Sequence, residues 1–79
     1  VPAGGLSPAE QRELKRLPQD IEKIEGRIEA LHQQMAAPEF YQQPVDTQRS
    51  AQQALAQQEA ALEQAFERWQ ALEAAQGRA

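Results

Sequence analysis

The 79 residues contain no cysteine, which removes a disulfide framework, a thiolate metal site and a cysteine nucleophile together. Histidine occurs once, as His32 beside Leu31, and reads as a solvated surface residue around which neither a triad nor a zinc site can be built. Aromatic residues make up only 5% of the chain. No apolar run approaches the roughly 18 residues of a membrane span, and no basic start followed by an apolar core resembles a signal peptide. A cytoplasmic protein with no membrane partner is the expectation. There is no glycine-rich phosphate loop and no dinucleotide fingerprint, so this chain alone is not expected to be an enzyme or to hold a cofactor. Cations are outnumbered, 8 Lys and Arg against 12 Asp and Glu, giving a net charge of −4. That balance weighs against unaided attraction of the whole surface to nucleic acid or to an anionic membrane, so any such binding must come from local arrangement.

What the chain does have is helix. Ala, Gln, Glu and Leu dominate, a composition typical of long helices. From Leu14 to Met35 the large apolar residues are Leu14, Leu17, Ile21, Ile24, Ile28, Leu31 and Met35, and the steps between them alternate three and four without a slip. That is a heptad seam, and an amphipathic helix of this kind needs its stripe covered. The second half offers the cover. Leu55, Leu62 and Trp69 recur every seven residues, with Phe66 and Leu72 on either side of that line. In an antiparallel register Leu14 would meet Trp69, Leu17 Phe66, Ile21 Leu62 and Ile28 Leu55. The same register sets Gln48, Gln52 and Glu59 opposite Met35, Leu31 and Ile24, leaving the tip half of the seam poorly filled and the first to fray. The fold expected is all-α: an antiparallel two-helix coiled-coil hairpin, closed within one chain rather than paired with a second copy.

In chain order, residues 1–6 carry Pro2, Gly4 and Gly5 with no periodicity and read as a flexible linker or as residues foreign to the domain. The hairpin follows over 7–77. Ser7 as N-cap, Pro8 at the first helical position and Glu10 three after the cap form a capping box. Helix 1 is expected over about 8–36. Pro18 lies inside its seam and removes a backbone donor, so a proline kink or a short tight turn is expected around Lys15 to Leu17. Pro38 and Pro44 bracket a tip of about 37–45 that holds Phe40 and Tyr41. These two either plug the end of the hairpin over Met35 and Val45 or form an exposed docking pair. Helix 2 is expected over about 46–76, with Asp46 capping it or in its first turn, and Gly77 with Arg78 as its stop.

The charges are segregated. At about 100° per residue, Arg12, Arg16, Lys23 and Arg27 project within roughly 60° of one another, with Lys15 on the adjacent flank. Glu22, Glu25 and Glu29 fall on a different flank. Such a basic stripe suits sequence-independent contact with a phosphate backbone. The plainer reading is flanking charge that keeps a coiled coil in solution and in register. Glu59, Glu63 and Glu67 form an acidic row on helix 2 that reads as a solvated face, not a metal site.

Three strings, taken together, carry a family resemblance: LSPAEQRELKRLP opening the first helix, APEFY at the tip and LEQAFERWQALEA closing the second helix. In this order and spacing, with a proline inside the first helix, they resemble the C-terminal domain of ABC-F ATPases, most closely the Uup subfamily, over nearly all of Leu6 to Ala75. The resemblance implies a cytoplasmic, ribosome-associated translation factor or nucleic-acid-associated ATPase whose C-terminal hairpin arm binds DNA. ATP and magnesium would belong to cassettes outside this chain. Arg12 and Arg16 carry over from the motif, whereas Lys15, Lys23 and Arg27 come from the helical projection. Two other readings stand beside a DNA- or structured-RNA-binding arm. One is a protein-contact or regulatory arm, docking on its own ATPase domains, the ribosome or a second copy through Trp69, Phe40 and Tyr41. The other is a tRNA-contacting arm like that of valyl-tRNA synthetases, against which the FERWQ string and the internal proline argue.

Overall fold

The computed structural model describes residues 5–77. Helix α1 runs Pro8–Ala36, a short 3₁₀ turn follows at Pro38–Gln42, and helix α2 runs Val45–Gly77 back alongside α1. The two helices form a rod of 60 × 16 × 16 Å with a radius of gyration of 17.6 Å. A compact domain of this length would have a radius near 12 Å. So little lies more than one side chain from water that a closed pocket is excluded by shape.

Helix α1 begins where the sequence provides its cap. The Ser7 hydroxyl accepts from the Glu10 amide at 3.1 Å and the Glu10 carboxylate accepts from the Ser7 amide at 3.0 Å, satisfying two otherwise orphaned donors. Leu6, assigned to the linker from sequence, instead packs on the apolar cluster at the base, and its carbonyl accepts from the Gln11 side chain at 3.3 Å. Residues 1–4 of that linker, and Arg78 of the helix stop, lie outside the described residues. The helix passes through Lys15 to Leu17 and on past Pro18 without interruption, so the tight turn expected there does not form. Leu14 forgoes the amide partner that residue 18 would ordinarily supply. The heptad phase explains why the helix continues: Leu14, Leu17 and Ile21, on both sides of the proline, are all buried on one face.

The seam of α2 differs from the one expected. Its inward positions are Gln48, Ala51, Leu55, Gln58, Leu62, Ala65, Trp69 and Leu72, all buried or half-buried, whereas Gln52, Glu59 and Phe66 are exposed. Phe66 therefore does not cover Leu17. Leu17 is buried with Leu14 and Leu72, against Leu6, Ala65 and Trp69. Two effects select this seam. Its steps alternate three and four from Gln48 to Leu72, matching the period of α1. It also keeps Glu59 in water, and withdrawing a charge from water costs far more than the fraction of about 1.5–3 kcal/mol lost by leaving Phe66 partly exposed. The small side chains at Ala51 and Ala65 let the helices approach. One defect remains in the middle, where the Gln58 Oε1 is buried without a hydrogen-bond partner, at a cost of about 1–3 kcal/mol.

At the tip, Phe40 and Tyr41 part company. Phe40 is 3% exposed and closes the end of the hairpin, so the exposed docking pair is ruled out as a pair. Tyr41, 68% exposed, meets the Phe40 ring edge-on at 5.3 Å between centroids. The Gln48 side chain holds the turn from α2, donating to the carbonyls of Gln43 at 2.9 Å and Tyr41 at 3.3 Å. The tip half of the seam is thus narrow rather than empty, with Phe40 and Ala51 buried and Ile24, Ile28, Leu31 and Met35 half-buried.

Candidate nucleic-acid interface

The register fixes which charges share an edge. In an antiparallel pair each helix has two shoulders beside its seam, and like shoulders face each other. On one edge α1 presents Glu13, Asp20 and Arg27 beside the seam, with Arg16 and Lys23 just outside them. The shoulder of α2 that meets them carries Ala54, Ala61, Arg68 and Ala75, so its small residues offer no acid to pair with the cations of α1. The one cation that α2 does place there is tied down. Arg68 makes a two-point contact with the Glu13 carboxylate at 2.7 and 3.0 Å and lies 4.0 Å from Glu10. Arg68 was not singled out from sequence, because its place on this edge depends on the Ala51–Ala65–Leu72 seam. The Ser7 hydrogen bonds hold the Glu10 carboxyl below its ordinary value of 4.5, and the hydrogen bond from Arg68 does the same for Glu13.

The structure places the five basic candidates as follows. Arg16 reaches Asp20 at 3.9 Å, but its side chain is 78% exposed, and such an open pair contributes little. Arg12, Lys15, Lys23 and Arg27 are exposed and form no ion pair among the described residues. Lys23 and Arg27 line an open groove with Leu17, Asp20, Ile24 and Ala65. Arg12 and Arg16 line a second, nearer the base, with Ala9, Glu13 and Asp20. Arg12 and Arg16 are four residues apart, as are Lys23 and Arg27, so each pair spans about 6 Å of axis and the two pairs lie about 10 Å from each other. Lys15 stands on the opposite flank from this line, near Pro18. Four cations along roughly 22 Å of one helix edge can follow a phosphate backbone. Of the tip candidates, Tyr41 is available to a partner and Phe40 is not. His32 is exposed, and among the described residues no group of three or more His, Asp or Glu is placed to hold a metal ion.

The family model for the "ABC transporter C-terminal domain" matches residues 5–74. The chain belongs to this family. Within it, the chain is similar to the ATP-binding protein Uup-like of Haemophilus influenzae, 48% identical over 68 residues that make up 86% of this chain and 15% of that protein. The ATP-binding protein Uup of the same organism is also 48% identical, over 86% of this chain and 10% of the relative. The ATP-binding protein Uup of Escherichia coli is 47% identical over 64 residues, 81% of this chain and 10% of that protein. The resemblance to the C-terminal domain of Uup-type ABC proteins, read from three short strings, is thereby borne out. The chain spans about 10–15% of the length of these curated relatives. No solved structure matches it. Among the described residues no helix is long and apolar enough to cross a membrane.

Proposed function

We propose that this domain is the non-catalytic nucleic-acid-binding arm of a Uup-like ATP-binding protein. It holds the phosphate backbone of DNA, or of structured RNA, through Arg12, Arg16, Lys23 and Arg27, whereas Lys15, on the opposite flank, lies outside this contact. One observation carries the reading. A chain of net charge −4 concentrates four cations on one edge of a rod, where Arg12, Lys23 and Arg27 form no ion pair among the described residues, Arg16 makes only an open contact with Asp20, and the facing helix supplies alanine rather than acid. Flanking charges that served only to hold the helices in register would be expected to pair across the interface, as Glu13 and Arg68 do.

ATP and magnesium act, on this proposal, in cassettes of the parent protein and not here, and the setting is cytoplasmic. The arm carries no chemistry of its own; it places the ATPase on a nucleic acid, the ribosome included. Its affinity falls steeply with salt, because each phosphate contact releases a counterion. The test is binding of labelled duplex DNA and hairpin RNA to the domain, beside a variant with Arg12, Arg16, Lys23 and Arg27 all changed to Gln. Loss of binding in the variant supports the reading, and equal binding by both proteins refutes it.

A further inference from the structure

The opposite edge of the rod bears no cation stripe and has a different surface. Pro18 and Ile21 of α1 and Phe66 and Trp69 of α2 line a groove of ≈ 230 Å³ with no charged side chain in its wall. Phe66 is 40% exposed there, a large aromatic in the middle of a solvent-facing helix shoulder. The volume is below the roughly 300 Å³ at which small-molecule pockets begin, so the groove suits a side chain presented by a macromolecule rather than a free metabolite. Its rim decides which macromolecule. Glu22 and Glu25 follow Pro18 by one and two helical turns. Glu63 and Glu59 precede Phe66 by the same steps, and Glu73 follows it by two turns. All five are exposed, and Lys15 is the cation on this stretch. Nucleic acid and anionic lipid are repelled by such a rim. A second copy seated through the same edge would bring the acidic rows against each other.

We infer that this edge docks a lysine- or arginine-rich protein segment that inserts a large apolar side chain between Pro18 and Phe66. The apolar floor supplies an anchor and the acidic rim supplies charge complementarity and a fast encounter. The hairpin then has two faces with opposite preferences, one for phosphate and one for basic protein, and both can be occupied at once. The partner's anchor replaces water over Phe66 and Trp69, while its cations lie along Glu22, Glu25 and Glu63.

The test uses the 79-residue chain, ¹⁵N-labelled, and a synthetic amphipathic peptide of Lys and Leu, beside a peptide in which every Leu is Ser. The Leu-bearing peptide should move the Trp69 indole N–H signal and those of residues around Phe66. Phe66→Ser should weaken it about tenfold or more while leaving the weak binding of the Ser peptide unchanged. Phe66 is partly exposed, so this variant is expected to fold, with far-ultraviolet circular dichroism as the check. A second variant with Glu22, Glu25 and Glu63 changed to Gln leaves the floor intact and should weaken binding about tenfold at low salt, with a flatter salt dependence. The four-Gln variant of the basic edge should bind the peptide at least as well as the unchanged protein. Equal affinity for the Leu and Ser peptides, no effect of Phe66→Ser, or groove signals that move with protein concentration alone, as a second copy would cause, would each overturn the proposal.

Discussion

The two edges of the hairpin are built from the same pair of helices, yet they are finished differently. On one, the shoulder of α2 is alanine at positions 54, 61 and 75, and the cations of α1 stand exposed beyond it, none of them paired across the interface among the described residues. On the other, Phe66 overhangs Pro18 and Ile21, and glutamates from both helices line the rim. A uniform coiled coil would alternate charges of both signs along each edge to hold register. Here register is held by the apolar base and by the Glu13–Arg68 clamp. The remaining edge positions are free to segregate. Net charge is therefore a poor guide to the field beside either edge, because a Debye length of about 8 Å at physiological salt is shorter than the 16 Å width of the rod.

The largest expected effect comes from removing what both edges share. Leu72 is 1% exposed in the cluster with Leu14 and Leu17. Leu72→Ala should cost about 2–5 kcal/mol, a large share of the stability of so small a domain, seen as a lowered urea midpoint, and it should weaken binding on both edges together. A smaller change should sharpen the contrast. Neutralising the acidic edge with Glu22, Glu25 and Glu29 changed to Gln should raise affinity for duplex DNA by about threefold to tenfold at low salt, through the weakened long-range field alone. At physiological salt, where the Debye length is shorter than the rod is wide, the gain should vanish, and a gain that persists there in a titration would mean that the two edges do not act separately.

Gly26 lies on the outward face between the edges, and a methyl group added there meets nothing within 4 Å. Gly26→Ala should stabilise the domain by about 1 kcal/mol, raise the melting temperature and leave DNA affinity unchanged, since it alters the helix and neither edge. The smallest effect concerns acid. The carboxyls of Glu10 and Glu13 titrate below their ordinary value of 4.5 in the folded chain, through Ser7 and Arg68 respectively. Their contribution to stability is complete above that value and is lost as pH falls through the folded values. The melting temperature should therefore decline as pH drops below 4.5, and less so in Arg68→Gln, in which Glu13 no longer has its partner.

Helix α1 was legible in the sequence because every core position there is a large aliphatic residue at unbroken spacing, and because the Ser7–Pro8–Glu10 start has few alternatives. The hairpin followed from the need to cover that stripe. The seam of α2 was half legible. Leu55, Leu62 and Trp69 stood out by size, while Ala51 and Ala65 did not, and Phe66 drew the register toward itself. Spacing held the better signal, since the alternation of three and four from Ala51 through Leu55, Gln58, Leu62, Ala65 and Trp69 to Leu72 is as regular as that of α1. From that seam the facing shoulders follow, and with them the Glu13–Arg68 pair and the Pro18–Phe66 groove. Phe40 and Tyr41 could not be ranked as neighbours of like size, because the 3₁₀ turn decides which ring points inward. A helix running through Pro18 was legible because Leu14, Leu17 and Ile21 keep one phase across the proline, whereas the alternative of a tight turn at Lys15 to Leu17 came from weighing the local cost of proline alone, and that turn does not form.

The separation of the edges is tested most directly by the salt dependence of duplex DNA binding, measured for the unchanged domain and for the variant with Arg12, Arg16, Lys23 and Arg27 changed to Gln. The account predicts a linear fall of log affinity with log salt, at a slope near −3.6 for about four phosphate contacts, and loss of both affinity and slope in the variant. Binding that is absent at low salt, or that survives the four substitutions with its slope unchanged, would contradict it.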